Sequence, residues 1–312
     1  MTLRHLSLMF LVASCSLGPN PDKCDRNQQC RDAFGLGATC GGDGLCQLPA
    51  DYARCEDTYP KDLLTRPEKH GRDLILGTLF DATTDAPQQQ AAELAAMQTN
   101  DNIGRGHWLE DRQVGVIHCT YETDLDLDDL DYEEAAAEAA AYLIDVIGVD
   151  ALIGPATSDQ NESLFPIAEA ADVVIISPSA TSVFLTNIDG AVSTDQDPGL
   201  FWRTVPSDNL QGYAIAEDMS ARAVTEIAIV HQAGSYGTGL ADVVLQEFGR
   251  FGGGAARFTF NNQSQLTDAL VDAANSPGAQ EVLFISSEVN DVIAFLSGAE
   301  GVDEYNDPLD PL

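Results

Sequence analysis

The sequence predicts an α/β protein of two Rossmann-like lobes with parallel sheets, preceded by a cysteine-rich stalk. Three observations carry this. Short apolar runs alternate with helix-length stretches after Pro67, the pattern of parallel strands covered on both faces. The alternation occurs twice, on either side of a looser stretch, Asn187 to Gly199, that contains Gly, Asp and Pro. Ahead of it lies a polar, Gly-rich segment with closely spaced cysteines that could not bury a core by itself. The divisions read as a signal segment 1–14, a stalk and linker 15–70, a first lobe 71–205 and a second lobe 206–312.

Residues 1–14 are read as processed sequence. Arg4 supplies a positive n-region, Leu6 to Ala13 a short apolar core, and Val12-Ala13-Ser14-Cys15 matches a lipobox. This resembles a bacterial lipoprotein signal peptide, which makes Cys15 the expected lipidation site. A plain secretory signal also wants small residues at its cleavage site, but the cysteine directly after them favours lipidation. By the same resemblance, Ser16 implies outer-membrane sorting in the envelope of a Gram-negative bacterium. No other segment reaches the ~18 apolar residues of a membrane span, so the expected membrane contact is the lipid anchor alone.

Export makes the other cysteines disulfide candidates. Cys24, Cys30, Cys40 and Cys46 allow three pairings, and Cys24–Cys40 with Cys30–Cys46 knots the segment most compactly. A zinc site is the rival; CxxC spacing is absent and no metal is expected. Cys55 and Cys119 remain, either tying the linker to the end of a strand or leaving Cys119 as a small buried hydrophobe.

Up to about Arg66 the chain reads as polar and loop-like. Strands then follow at Asp73 to Leu79, Val114 to Cys119, Ala151 to Ile153 and Val173 to Ile176, with helices at Pro87 to Trp108, Glu133 to Ile147 and 161–171 between them. Beyond a short strand and a helix starting near Asp208 or Asn209, strands are expected at Glu226 to His231, Arg257 to Phe260 and Glu281 to Ile285. The helices of this half are placed at Gly239 to Phe251, Leu266 to Ala274 and Asn290 to Gly298.

Composition narrows the function classes. Fifty acidic residues face 15 Lys and Arg, for a net charge of −35, which disfavours nucleic acid and anionic headgroups as partners. The acid-rich run from Glu122 to Glu138 invites a calcium reading. An EF-hand loop starting at Asp124, however, would need Gly where Asp129 stands and Glu where Ala135 stands. A solvated loop entering a helix is the better reading. There is no G-x-S-x-G elbow, P-loop or H-E-x-x-H, so no enzyme is expected and no cofactor is implied. Gly234-Ser235-Tyr236-Gly237-Thr238-Gly239 fits neither glycine fingerprint and reads as a tight strand-to-helix turn.

The richest stretch is Asp150 to Ser182. Strand 151–153 breaks at Gly154-Pro155 into Thr157 and Ser158, and strand 173–176 ends in Ser177, Ser179, Thr181 and Ser182. Taken singly, either end reads as ordinary capping chemistry. Together, in one βαβ unit, they form a polar ledge at the sheet edge where α/β proteins bind ligands.

Four segments then carry a resemblance: IGPATSDQNESLFPIAEAADV, IISPSATSVFLT, FWRTVPSDNLQGYAIAEDM and EIAIVHQAGSYGTGLADVVLQEF. Over roughly Arg72 to Gly301 the chain resembles the type I periplasmic binding proteins of the leucine/isoleucine/valine-binding kind. The resemblance implies two lobes that close on a ligand, with Ser158 meeting its carboxylate. Ala180 and Thr181 would complete that contact, and Tyr236 would close over the ligand from the second lobe. Two departures stand out. Thr157 occupies a place where the family often has a cysteine, and the chain stops where the family would continue with the source of its ammonium-binding acid. Glu288 and Asp291 do not match that position. The implied function is a lipoprotein that captures a small carboxylate, of the branched-chain amino-acid type, for an ABC importer and its permease. The alternative is a surface-anchored sensor or scaffold using the same fold without transport.

Overall fold

The computed structural model describes residues 23–49, 52–101, 112–122, 130, 132–190, 194 and 198–299. The signal segment with Cys15 and most of the acidic run lie outside the described residues.

The cysteine-rich segment forms helix α1 (Asn27–Phe34) and a two-stranded ribbon, β1 (Thr39–Cys40) with β2 (Cys46–Gln47). Its disulfides are Cys24–Cys40 and Cys30–Cys46, the compact pairing. With only Cys24, Cys30 and Ala38 as its buried cluster, the segment depends on those bridges for order. Arg31 holds it to the rest of the molecule by donating to the carbonyls of Asp145 and Val146, at 3.4 and 3.2 Å.

A six-stranded sheet follows, in the order β3-β5-β4-β6-β7-β8. Its strands are β3 (Asp57–Tyr59), β4 (Leu74–Phe80), β5 (Val114–Thr120), β6 (Ala151–Ile153), β7 (Val174–Ser177) and β8 (Phe201–Arg203). All pairings are parallel except the one at the β3 edge. Helices α2 (Ala86–Asp101), α3 (Tyr132–Ala141) and α4 (Ser158–Ala170) make the crossovers, α3 widening into a π-helical segment, Tyr142–Ile147. Because both faces are covered, every residue of β5 is buried. Leu79, Ile117, Leu152 and Ile175 from the strands meet Leu143, Ile147, Leu164 and Phe165 from the helices in one core. Each such side chain contributes roughly 1.5–3 kcal/mol of burial. Gly77 in β4 lets the π segment press on the sheet: a Cβ there would lie 2.8 Å from Leu143 Cδ1.

The linker departs from its expected loop-like character. Asp57–Tyr59 pairs with Val116–His118, and Leu63 is fully buried in the large core. A three-residue strand reading Asp-Thr-Tyr shows no alternation long enough to detect. The Cys55–Cys119 bridge sits beside it, so Cys119 is both buried and paired.

The second sheet is parallel and three-stranded, in the order β10-β9-β11, with β9 (Glu226–Gln232), β10 (Gly254–Phe260) and β11 (Glu281–Ile285). Helices α5 (Asp208–Ala221) and α6 (Ser235–Arg250) cover one side through Met219, Leu240, Val244 and Phe248. On the other side, α7 (Gln263–Ala274) packs with α8 (Val289–Ala299), where Phe260, Phe284 and Phe295 form consecutive ring stacks. Three helix starts fall earlier than expected: α4 begins at Ser158 and not 161, α6 at Ser235 and not Gly239, and α7 at Gln263 and not Leu266. In each case small or polar residues, weak helix formers in isolation or typical of loops, form the first turn because the surrounding structure holds it. The glycine-rich stretch from Gly234 is therefore the opening turn of a helix.

Candidate functional site

Strands β6 and β7 are parallel neighbours, so the segments that follow them emerge side by side at one sheet edge. A buried polar network joins those segments. Ser177 Oγ donates to the Pro155 carbonyl at 2.8 Å, and Asn161 Nδ2 donates to the Pro155 and Thr157 carbonyls at 2.8 and 2.7 Å. The Ala180 N–H in turn donates to Ser177 Oγ at 3.1 Å. Asn161 and Ser177 are fully buried, where unsatisfied carbonyls would be costly.

The network leaves the hydroxyls of this wall with unequal roles. Thr157 is the N-cap of α4, accepting from the Gln160 N–H at 3.3 Å and donating to Gln160 Oε1 at 2.9 Å. Ser179 Oγ donates to the Ala156 carbonyl at 2.7 Å. Ser158 accepts the Ser182 N–H at 3.1 Å, and among the described residues its own proton has no acceptor. Thr181 stands beside Asp208, whose N–H donates to the Thr181 carbonyl at 2.9 Å.

Asp208 is almost wholly buried. Burial raises its carboxyl above the ordinary range, while the neighbouring Thr181 hydroxyl and Arg203 guanidinium act the other way. The carboxylate oxygens accept no hydrogen bond of ordinary geometry among the described residues.

Facing this wall are Gln211 on α5, Tyr236 in the first turn of α6, and Ser286 and Ser287 just after β11. Together with Ser158, Asp159 and Thr181 they line a cleft of about 400 Å³ between the two sheets. Burial raises the Tyr236 hydroxyl above its ordinary value, which keeps it a neutral group beside Gln211 and Asp208. Ser286 Oγ donates to Asp291 Oδ2 at 2.8 Å, so Asp291 supports the floor from behind. No Lys or Arg is among the lining residues. Hydroxyls, an amide, a phenol and one carboxylate make a neutral-to-acidic polar pocket, suited to orienting a small ligand by hydrogen bonds. The one cluster of metal-capable side chains among the described residues, Cys24, Cys30 and Cys40, has its sulfurs committed to the bridges.

Of the four residues expected from the sequence, Ser158, Thr181 and Tyr236 line the cleft. Ala180 does not: it is buried, and its N–H is spent on Ser177. Glu288 and Asp291 are outside the lining too. Asp159, Gln211, Ser286 and Ser287 were not anticipated. The serines had a usable signal, because Ile285-Ser286-Ser287 repeats the strand-ending-in-hydroxyls pattern of β7.

Residues 88–300 match the family described as "Receptor family ligand binding region". Among solved structures, the fold is similar to an ABC transporter substrate-binding protein from Desulfitobacterium hafniense. That match has a TM-score of 0.51 and 24% identity, over 74% of this chain and 63% of that one. A second structure of such a protein from the same organism, described as a complex with Leu, matches with a TM-score of 0.54 and 22% identity, over 73% and 63%. This chain thus spans less than two thirds of either, and likeness at such identities shows the fold alone: an α/β architecture of the type I periplasmic binding kind. No curated protein matches significantly. Among the described residues, no helix is long and apolar enough to cross a membrane.

The buried network yields a stability test. Asn161→Ala removes one of two donors from each of the Thr157 and Pro155 carbonyls, leaving the backbone N–H of residue 161 and the Ser177 hydroxyl, so the expected loss is about 1 kcal/mol, the net worth of ordinary hydrogen bonds. Urea titration should show a lower midpoint with an unchanged slope; an unchanged midpoint would mean that water replaces the amide at no cost.

Proposed function

The chain belongs to the family of receptor ligand-binding regions, and from that premise we propose that it is an extracytoplasmic solute-binding lipoprotein. Its two lobes, 71–205 and 206–312, capture a small carboxylate of the branched-chain amino-acid type for delivery to an ABC importer. One observation carries the reading: Ser158 and Thr181 from the large-sheet side and Tyr236 from the small-sheet side line the same cleft.

The chemistry follows from that juxtaposition. Ser158 keeps a hydroxyl proton for an anionic oxygen and stands in the first turn of α4, where the helix dipole also favours negative charge. Tyr236, neutral and half-buried, covers the apolar body of the ligand from the opposite side. Closure excludes water, which strengthens each of these hydrogen bonds.

Calorimetry on the full-length gene product with an amino-acid panel tests the reading. Ser158→Ala and Thr181→Ala should each weaken binding by roughly tenfold to a hundredfold, the worth of about 1.5–3 kcal/mol for a hydrogen bond to a charged group. Unchanged affinity in both variants would move the site elsewhere. No binding of any small carboxylate by the wild type would favour the scaffold alternative.

Cys15 is proposed as the lipidated residue that holds the molecule at the membrane. Metabolic acyl labelling should mark the wild type and not Cys15→Ser; unlabelled wild-type protein would remove the anchor from the account.

A further inference from the structure

Helix α6 is 16 residues long, yet its first turn has no cap of its own: Gly234 precedes it and no acidic side chain lies in that turn. Its opening N–H groups need an acceptor from elsewhere. The Ser235 N–H finds one across the seam, in Asp159 Oδ1 at 2.5 Å, 76 residues away in sequence and in the first turn of α4. One carboxylate therefore serves two helix N-termini, whose partial positive charges both favour it there. Gly234 makes room for it. Its φ is +122°, and a Cβ on it would lie 2.3 Å from Asp159 Oδ1. Asp159 also lines the cleft, so this contact is made at the ligand wall itself.

Ser182 grips the same residue from a second direction. Ser182 Oγ donates to the Ser235 carbonyl at 2.9 Å, and Ser235 Oγ donates to Ser182 Oγ at 2.9 Å. Both serines are buried. The Ser182 N–H donates to Ser158 Oγ, so the chain of bonds runs from the cleft hydroxyl on one side to the residue preceding Tyr236 on the other. Ser235 is thereby held at its N–H, its carbonyl and its hydroxyl by two residues of the opposite half.

We propose that Asp159 and Ser182 are positioning residues for the aromatic wall of the site: by clamping Ser235 they set Tyr236 opposite Ser158 and Thr181. The inference rests on the proposed ligand cleft. It assigns residues for which that reading had no role. Asp159 acts through the start of α6, so its contribution to binding requires Tyr236 to be present.

The test has two arms on the full-length gene product. In the first, hydrogen exchange is followed at the Ser235 amide. Asp159→Ala should speed that exchange by roughly tenfold or more, with no change in the core strand β9, and Asp159→Asn, whose side-chain carbonyl still accepts, should restore most of the protection. In the second, L-leucine is the calorimetric probe. Asp159→Ala should weaken its binding by roughly tenfold when Tyr236 is present and add almost nothing to Tyr236→Ala, the non-additivity of residues acting as one unit. Unchanged exchange at Ser235, or an equal loss of affinity with and without Tyr236, would overturn the proposal. If L-leucine does not bind, leucine is the wrong ligand for the proposed function, while the exchange arm still decides the clamp.

Discussion

Everything at the cleft hangs on the buried contact between Asn161 and the end of β7. Two parallel strands place their C-terminal segments next to each other, but nothing in a sheet dictates how irregular backbone beyond the strands should lie. Pro155 presents a buried carbonyl and Thr157 a partly buried one, and the Asn161 side-chain amide satisfies both, together with the Ser177 hydroxyl at Pro155 and the Asn161 backbone N–H at Thr157. With those carbonyls fixed, the start of α4 is fixed, and so are Ser158 and Asp159. With the Ala180 N–H on the same hydroxyl, Thr181 and Ser182 are fixed as well. The hydroxyl wall of the cleft and its seam with the opposite half are both built on one polar knot.

The division of labour among hydroxyls follows from counting protons. Thr157 and Ser179 look equivalent to Ser158 in the sequence, but each spends its proton on a local acceptor. Ser158 acts as an acceptor within the wall and so keeps a donor for the cleft. Asp208 is the energetic counterweight: a carboxyl held in a dry place beside Thr181, with its acid form favoured by burial.

How much of this was legible from the sequence depended on the range of the interaction. Apolar runs such as Val114 to Cys119 are long enough to announce a buried strand, and the double alternation announces two parallel sheets. The four cysteines of the N-terminal segment allow three pairings, and the most compact of them, favoured from the sequence, is the one the structure forms. The helices opening at Ser158 and Ser235 start earlier than the sequence implies, because a serine or glycine at a helix mouth looks like loop until its partner is known. For Ser235 that partner is Asp159, and no local pattern links two polar residues 76 positions apart. Short β3 escaped for a similar reason: its place comes from Val116 and the nearby Cys55–Cys119 bridge, not from its own three residues. The hydroxyl-rich wall of the cleft was visible as chemistry, while the contacts that hold Ser235, next to Tyr236, were not visible at all.

The claim that most needs a direct answer is that both halves grip one small ligand in the cleft. A crystal structure of the full-length gene product grown with L-leucine addresses it. The account predicts the ligand carboxylate within about 3 Å of Ser158 Oγ, with the Tyr236 ring closing over the aliphatic side chain. A ligand bound elsewhere, or one contacting only the large-sheet wall with Tyr236 turned away, would contradict it.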